Sequence, residues 1–233
     1  MEYLPGGFTL QLVEGCFPLS TDSTVLSHFV KLPRNAKVLD LGAGCGTLGL
    51  LLCANDTNCH VTGIEFDPIA HQAALDNIAR NQISHRMESI CGDLRSVTEI
   101  LPRAQFDCIV SNPPYFSGGP ASKAHTTARR EDNCTSADLF RSAGRMLKYG
   151  SDFYLVHRPE RLAELIARGS ENGMEAKRLL LLRHKEGGPV ALICLQFRKG
   201  GKPGLIWEEA SLRDKNDDPT AFYRSVYHLD TTT

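Results

Sequence analysis

The chain contains 233 residues, of which 42% are hydrophobic and 23% are charged, and its formal net charge is −1. These values predict one globular domain and exclude a disordered or fibrous protein. The near-neutral charge argues against a uniformly basic nucleic-acid-binding domain, so a nucleic-acid partner would require a local basic patch. No stretch approaches the roughly 18 consecutive apolar residues of a membrane span, and the N-terminus lacks the pattern of a secretion signal. We therefore expect a cytoplasmic protein with no membrane partner, while the sequence leaves the oligomeric state open, a monomer included.

The first predicted strand, Lys37–Leu41, runs directly into a glycine-rich loop with Gly42, Gly44 and Gly46 at alternate positions. Glycines allow the backbone to turn sharply and to approach a ligand closely. The following residues, 47–54, are typical of a helix whose N-terminus faces that ligand. The loop is therefore interpreted as a cradle for a nucleotide-like cofactor.

Two acidic residues indicate which cofactor this cradle binds. Glu65 directly follows the second predicted strand, residues 60–64, and lies about twenty residues beyond the loop, where a carboxylate can accept two ribose hydroxyl hydrogen bonds. Asp40 directly precedes the glycines, where it can interact with an amino-acid ammonium group. Residues 44–49 can also be fitted to the dinucleotide fingerprint of NAD enzymes, but Asp40 and the alternate glycines suit S-adenosylmethionine better than a pyrophosphate.

The remaining predicted elements continue the alternation of strands and helices. The helices are predicted at residues 68–81 with Asp67 as N-cap, at 94–101, at 136–150 after a Thr135–Asp138 capping box, and from Pro159; the strands are predicted at Met87–Cys91, Phe106–Ser111, 152–157, 176–183 and 190–197. This order predicts a Rossmann-like, doubly wound α/β fold with helices on both faces of a seven-stranded, mostly parallel sheet whose last strand is antiparallel. We expect residues 37–205 to form this domain, residues 1–36 to form an extension that packs on the cofactor and substrate site, and residues 206–233 to form a tail.

The fourth strand is followed by Asn112-Pro113-Pro114-Tyr115, here called the Asn112 corner, which carries the strongest chemical signal in the chain. The amino nitrogen of adenine, or of an amide, is a poor nucleophile because its lone pair is delocalised. The Asn112 side-chain oxygen and the Pro113 carbonyl can each accept one of its N–H hydrogens and direct the lone pair at an electrophilic methyl group. The consecutive prolines stiffen the corner, and Tyr115 can stack on a flat base, a contact worth about 1 to 3 kcal/mol.

Basic residues follow this corner. Residues 116–133 contain Lys123, His125, Arg129 and Arg130 and are interpreted as a substrate lid, although a solvated loop is an equally good interpretation of any single residue. The next predicted helix adds Arg141, Arg145 and Lys148. A second basic cluster lies at residues 198–202, where such clusters are more often solubilising surface.

The eight cysteines have the spacing of neither a disulfide framework nor a metal site. There is no Cys-x-x-Cys and no His-Glu-x-x-His motif, so we expect no bound metal. Most of six cysteines in or beside predicted elements should be reduced core thiols: Cys45, Cys53, Cys59, Cys91, Cys108 and Cys194. Cys134 lies in a polar loop and is expected to be exposed.

Four motifs in the same order resemble the class I S-adenosylmethionine-dependent methyltransferases: residues 40–46, Glu65, Gly92-Asp93-Leu94 and residues 112–115. The resemblance implies S-adenosylmethionine as the cofactor, with Asp93 and Leu94 at its adenine. Asp93 could also cap the helix that starts at Leu94, but the ligand role is favoured. The catalytic roles fall on Asn112, Pro113 and Tyr115.

A narrower resemblance, covering about residues 5–207, is to the family that methylates N6 of the adenine next to the anticodon of a valine tRNA. It is carried by residues 17–26, 112–116, 128–131, 156–162 and 198–204, together with Asp138 and Leu139. It implies that Asp22 and its neighbours border the cofactor pocket and that Pro114, Phe116 and Arg129 contact a tRNA substrate.

Three alternatives remain open from the sequence. A protein glutamine methyltransferase that acts on release factors uses the same corner on an amide, but such enzymes usually carry a helical N-terminal domain. A ribosomal-RNA or DNA amino methyltransferase would share all four motifs. A cofactor-binding scaffold without activity would retain the glycine loop but would not need the Asn112 corner.

Overall fold

The computed structural model describes residues 1–13, 19–113 and 134–229. The helices are α1 (Thr21–Phe29), α2 (Thr47–Asn55), α3 (Pro68–Arg80), α4 (Val97–Ile100), α5 (Ser136–Met146), α6 (Leu162–Glu171) and α7 (Ala221–Val226). The strands are β1 (Glu2–Tyr3), β2 (Thr9–Leu10), β3 (Lys37–Leu41), β4 (His60–Glu65), β5 (Met87–Cys91), β6 (Phe106–Ser111), β7 (Leu147–His157), β8 (Met174–Lys185), β9 (Val190–Lys199) and β10 (Ile206–Arg213). Short 3-10 turns cover Pro5–Gly7, Leu94–Ser96 and Pro159–Arg161.

The main sheet has the strand order β10-β8-β9-β7-β6-β3-β4-β5. Within it, β9 runs antiparallel to β7 and β8, and the other described strand pairs are parallel. The α/β fold with a mostly parallel sheet and an antiparallel β8–β9 hairpin is therefore confirmed. Strands β1 and β2 form a separate two-stranded sheet.

The sheet has eight strands where the sequence predicted seven. The additional strand is β10, which lies in the segment predicted to be a tail and pairs in parallel with β8. Only Leu212 of its eight residues is buried. An edge strand of this kind is held mainly by backbone hydrogen bonds to its neighbour, so it leaves little apolar pattern in the sequence.

Helices cover both faces of the sheet, as predicted. One core contains apolar side chains from α1, α2, α3 and α7, and the other contains side chains from α4, α5 and α6. The predicted N-caps are also confirmed: Asp67 accepts a hydrogen bond from the Ile69 N–H at the start of α3, and Thr135 and Asp138 form a reciprocal capping box on α5. The described residues contain no helix with both the length and the apolar character needed to cross a membrane.

The prediction that the helix after the capping box continues to Gly150 is wrong. Helix α5 ends at Met146 because Leu147 adopts extended backbone and pairs with Phe106 in the sheet. Lys148 therefore lies in β7 rather than on the helix. Its ammonium group is bound to the Asp107 carboxylate at 2.6 Å.

The cysteine predictions hold in part. Five of the predicted core thiols are buried: Cys45, Cys53, Cys59, Cys108 and Cys194. Cys91 is exposed because it ends β5, the outermost strand on the side of the sheet away from β10. Cys134, predicted to be exposed, is half-buried just before α5.

Asn77 of α3 and Asn81, the C-cap of this helix, hold the N-terminal segment with pairs of hydrogen bonds to its backbone. The Asn81 side chain accepts a hydrogen bond from the Thr9 N–H at 2.8 Å and donates one to the Thr9 carbonyl at 2.7 Å. Asn77 makes the same pair of bonds to the backbone of Gln11, at 2.8 and 2.9 Å. Asn77 also donates to the Cys45 carbonyl in the glycine loop at 3.1 Å. The N-terminal segment and the glycine loop are thus joined through one buried amide.

The Asn77→Ala variant is expected to lose about 3 kcal/mol of unfolding free energy. The residue is 1% exposed, and its removal leaves three backbone groups without their partner in a site with little access to water. Urea unfolding followed by circular dichroism measures the loss. Gln72→Ala is a suitable control because Gln72 is exposed on the same helix. Equal stability of the two variants would contradict the prediction.

Candidate active site

The carboxyl ends of β3 and β6 form the central crevice of the sheet. These two strands are neighbours, with Asp40 paired to Val110. Helix α2, which follows β3, packs in one core. Helix α5, the next described helix after β6, packs in the other core. Ligands of doubly wound sheets bind where the connections diverge in this way. The glycine loop and the Asn112 corner therefore share one crevice.

The three glycines of the loop all adopt left-handed backbone conformations, with φ of +79° at Gly42, +56° at Gly44 and +84° at Gly46. At Gly42 and Gly44 an added Cβ would meet no described atom within 4 Å, so the backbone there faces open space. At Gly46 it would lie 3.1 Å from the Met87 side chain. Gly42 and Gly44 thus permit a ligand to approach, and Gly46 permits the loop to pack on the sheet.

The Glu65 carboxylate is buried and fixes the loop. Its Oε2 accepts a hydrogen bond from the Gly44 N–H at 2.7 Å, and its Oε1 accepts one from the Asp67 N–H at 2.8 Å. A carboxylate oxygen has two acceptor positions, so each oxygen can accept a further hydrogen bond. The geometry is compatible with the predicted ribose contact, which stays a prediction.

The Asp40 carboxylate lies beneath the loop, almost completely buried. Its Oδ2 has no hydrogen-bond partner among the described residues. Burial, and secondarily the nearby charge of Glu65, raise the pKa of Asp40 to about 7, while a hydrogen bond from the Gly49 N–H lowers it. A buried carboxylate of this kind suits a cationic ligand group, because the ligand would compensate the charge that the protein does not.

The raised pKa of Asp40 predicts a pH dependence of stability. The ordinary pKa of 3.8 describes the unfolded chain, so between about pH 4 and pH 7 the folded state binds more protons than the unfolded state. The contribution of Asp40 to the unfolding free energy is therefore present at low pH and is lost as the pH rises toward 7. Relative to Asp40→Asn, wild-type stability should fall by about 3 kcal/mol from about pH 5 to pH 8 in urea unfolding. A difference between the two proteins that does not change with pH would contradict this.

Asp93 and Leu94 follow β5 at the carboxyl ends of the parallel strands, the same side of the sheet as the glycine loop. The Asp93 carboxylate caps the 3-10 turn Leu94–Ser96 by accepting a hydrogen bond from the Arg95 N–H at 2.8 Å. It is also hydrogen-bonded by the Arg95 guanidinium, which lowers the pKa of Asp93. The capping role considered from the sequence is thus present, and the contact with the cofactor's adenine stays a prediction for both residues.

The Asn112 corner is tied to two other parts of the chain. The Ser111 hydroxyl donates to the Leu41 carbonyl at 2.7 Å and so joins the ends of β6 and β3. The Asn112 Nδ2 donates to the Ser23 hydroxyl of α1 at 2.9 Å. Pro113 is buried and Asn112 is half-buried. The other residues assigned to catalysis or substrate binding lie outside the described residues: Pro114, Tyr115, Phe116 and Arg129.

Helix α1 places Asp22 beside Ser23, in the first turn after the N-cap Ser20. Burial, and secondarily the charge of Asp22, raise the pKa of Cys194, so Asp22 lies near β9. Its predicted position at the border of the cofactor pocket stays a prediction. Ser23 was expected only as a neighbour of Asp22 at the border of the cofactor pocket, and its contact with Asn112 was not predicted.

The second basic cluster, residues 198–202, lies away from the predicted site. The cluster at residues 198–202 lies at the amino ends of the parallel strands, because Arg198 of the antiparallel β9 pairs with Asp152 of β7. Its side chains serve structural contacts: Arg198 forms a two-point ion pair with Asp152 at 2.8 Å, and Lys199 donates to the Leu147 carbonyl. This cluster is therefore at the edge of the sheet opposite the Asn112 corner.

Comparison with known proteins agrees with these features. The sequence model of the methyltransferase small domain family matches residues 19–166. A tRNA1(Val) (adenine(37)-N6)-methyltransferase of Bacteroides fragilis is 30% identical over 94% of both chains. A protein of the same name from Dickeya chrysanthemi is 28% identical over 91% of this chain and 88% of its own.

Solved structures agree in fold. The crystal structure of a predicted O-methyltransferase from Agrobacterium tumefaciens superposes with a TM-score of 0.75 at 21% identity, over 89% of this chain and 96% of the other. Geranyl diphosphate C-methyltransferase from Streptomyces coelicolor, in complex with Mg²⁺, geranyl diphosphate and S-adenosyl-L-homocysteine, gives 0.56 at 9% identity, over 76% and 78% of the two chains. At these identities the likeness concerns the fold alone.

Proposed function

Because the chain belongs to the methyltransferase small domain family, we propose that it methylates N6 of an adenine in tRNA, at the position next to the anticodon. The chain is an S-adenosylmethionine-dependent methyltransferase. The substrate rests on its similarity, over nearly the whole length of both chains, to the tRNA1(Val) (adenine(37)-N6)-methyltransferase of Bacteroides fragilis. We also propose that the protein acts in the cytoplasm, on a tRNA substrate.

The residues of the crevice fit the cofactor. The Oδ2 of Asp40, which has no hydrogen-bond partner in the described part of the chain, is matched to the ammonium group of an amino acid. Glu65 would hold the ribose hydroxyls, Asp93 and Leu94 the adenine, and the backbone of Gly42 and Gly44 leaves room for a close approach. Bound S-adenosylmethionine supplies a methyl group that its sulfonium makes electrophilic.

The observation that carries the proposal is the position of the Asn112 amide. It follows the strand next to the glycine loop, and its nitrogen donates to Ser23, so its oxygen can accept an N–H of the target amine. The Pro113 carbonyl can accept the second N–H, since proline offers no competing donor of its own. Holding both hydrogens in this way directs the nitrogen lone pair toward the methyl group. The proton that the methylated amine loses goes to water, so this step requires no general base.

The target base is flat, and it must leave its stack in the RNA to enter the crevice at the carboxyl ends of the strands. Tyr115 and Phe116 directly follow the corner in sequence and are proposed to stack on the extruded base. Pro114 and Arg129 complete the proposed substrate contacts. The formal net charge of −1 means that RNA binding rests on local positive charge rather than on a basic domain.

The proposed function is tested with an unmodified valine tRNA transcript and labelled S-adenosylmethionine. After digestion to nucleosides, the label should appear as N6-methyladenosine. A matched transcript with guanine in place of the adenine at position 37 should remain unlabelled. Equal labelling of both transcripts would contradict the proposed position, and labelling of a release-factor protein but not of tRNA would contradict the RNA substrate.

A further inference from the structure

We propose that Ser23 is a positioning residue that sets the orientation of the Asn112 amide through the hydrogen bond between Asn112 Nδ2 and Ser23 Oγ. This inference rests on the proposed function, because it concerns how Asn112 receives the target amine. The bond joins residues that are 89 positions apart and is partly shielded from water.

The chemistry requires one orientation of the amide. An asparagine side chain has an acceptor on one side and a donor on the other, and rotation by half a turn exchanges them. With the nitrogen toward Ser23, the oxygen is available for an N–H of the substrate. The reversed amide would present N–H to N–H, which is repulsive. In the structure the Ser23 hydroxyl accepts from the nitrogen, and this bond stabilises the orientation that leaves the oxygen available before substrate arrives.

Ser23 differs from two other hydroxyl residues of the same helix, Thr24 and Ser27. Ser27 donates to the Thr24 carbonyl at 2.8 Å, and Thr24 donates to the Ser20 carbonyl at 3.1 Å, so both bond within α1. The Ser23 hydroxyl instead contacts the end of β6. Ser23 and Ser27 are otherwise similar, with 6% and 5% of their surface exposed. One hydroxyl thus contacts the amide at the corner, and a matched one does not.

The position of Ser23 is fixed by the anchoring of α1. The Phe29 carbonyl accepts a hydrogen bond from the Arg178 guanidinium at 3.2 Å, and the Phe29 ring packs edge-on against Tyr154 with ring centres 6.0 Å apart. At the other end, the Thr21 hydroxyl lies 3.2 Å from the Tyr227 hydroxyl of the segment after α7. The helix is thereby held to the sheet at its C-terminal end and to the last part of the chain at its start.

Methyl transfer to tRNA by Ser23→Ala tests the inference kinetically. We expect kcat to fall about tenfold, the effect of one hydrogen bond of about 1.4 kcal/mol, while KM for tRNA and Kd for S-adenosylhomocysteine change less than about twofold. Ser23→Thr retains the hydroxyl and should recover most of the rate. Ser27→Ala should keep wild-type kcat. A kcat of Ser23→Ala within twofold of wild type, or an equal loss in Ser27→Ala, would overturn the inference.

A second measurement is independent of turnover and of the substrate. The side-chain NH₂ signals of Asn112 in a ¹⁵N-correlated NMR spectrum are identified by their disappearance in Asn112→Ala. In Ser23→Ala these hydrogens should exchange with water faster than in wild type, and in Ser27→Ala they should not. Unchanged exchange in Ser23→Ala would overturn the inference. A wild-type protein that methylates no RNA would instead refute the proposed substrate, and the NMR result would still decide the role of Ser23.

Discussion

The Asn112→Ala variant is expected to lower kcat for tRNA methylation about a thousandfold, because a fixed polar group that acts mainly on the transition state contributes a factor of about 100 to 1,000. The side-chain oxygen of Asn112 is proposed to accept an N–H of the target amine and to direct its lone pair. The Asn112 side chain makes a described contact with Ser23, outside the glycine loop. Affinity for S-adenosylhomocysteine should therefore stay within about twofold of wild type.

Single-turnover methylation with saturating cofactor measures the first quantity, and isothermal titration calorimetry measures the second. Asn58→Ala is a suitable control, because Asn58 is an exposed asparagine just before β4, at the opposite edge of the sheet. Two results would contradict the assignment: a turnover close to wild type, or a loss that disappears once the cofactor is saturating.

The Glu65→Ala variant is expected to weaken binding of S-adenosylhomocysteine about a hundredfold. The variant loses the two proposed charge-assisted hydrogen bonds from the ribose hydroxyls, which contribute about 1.5 kcal/mol each. The carboxylate holds the Gly44 N–H at 2.7 Å and the Asp67 N–H at 2.8 Å. Its removal leaves both donors unpaired and frees the glycine loop, in addition to removing the proposed ribose contact. Loss of the negative charge should also lower the pKa of Asp40, which Glu65 helps to raise.

Calorimetric titration with S-adenosylhomocysteine measures this affinity. The control is Glu88→Ala, which removes an exposed carboxylate from β5, the strand next to β4, where it accepts a hydrogen bond from the Thr62 hydroxyl. This control should bind as wild type does. A Glu65→Ala protein that is folded and binds with unchanged affinity would refute the assignment of Glu65 to the cofactor site.

Much of the site was predictable because its chemistry lies in short segments. Gly42, Gly44 and Gly46 occupy left-handed conformations that other residues rarely adopt, so their alternate spacing already indicated the loop. Asn112 and Pro113 are adjacent, and their position at the end of a strand followed from the apolar run before them. Glu65 was predicted as a ribose ligand, but its hydrogen bond to the Gly44 N–H was not, because it joins the end of β4 to a loop 21 residues earlier.

The errors have a common physical origin. The apolar pattern that predicts a strand depends on burial, so β10, an exposed edge strand, was missed. Helical periodicity continued past Met146, where competition from sheet pairing with β6 ends α5. Cys91 was predicted to be buried because its strand was, but it ends the strand at the edge of the sheet.

The sequence by itself determined the alternation of strands and helices, the glycine loop and the Asn112 corner, because each depends on backbone preferences and functional groups within a few adjacent residues. Only the tertiary structure decided that Ser23 contacts Asn112, that Asn77 joins the N-terminal segment to the glycine loop, and that the cluster at residues 198–202 lies opposite the site. These relations join residues up to 89 positions apart. They depend on how the helices dock on the sheet and on strand order, which local patterns do not specify.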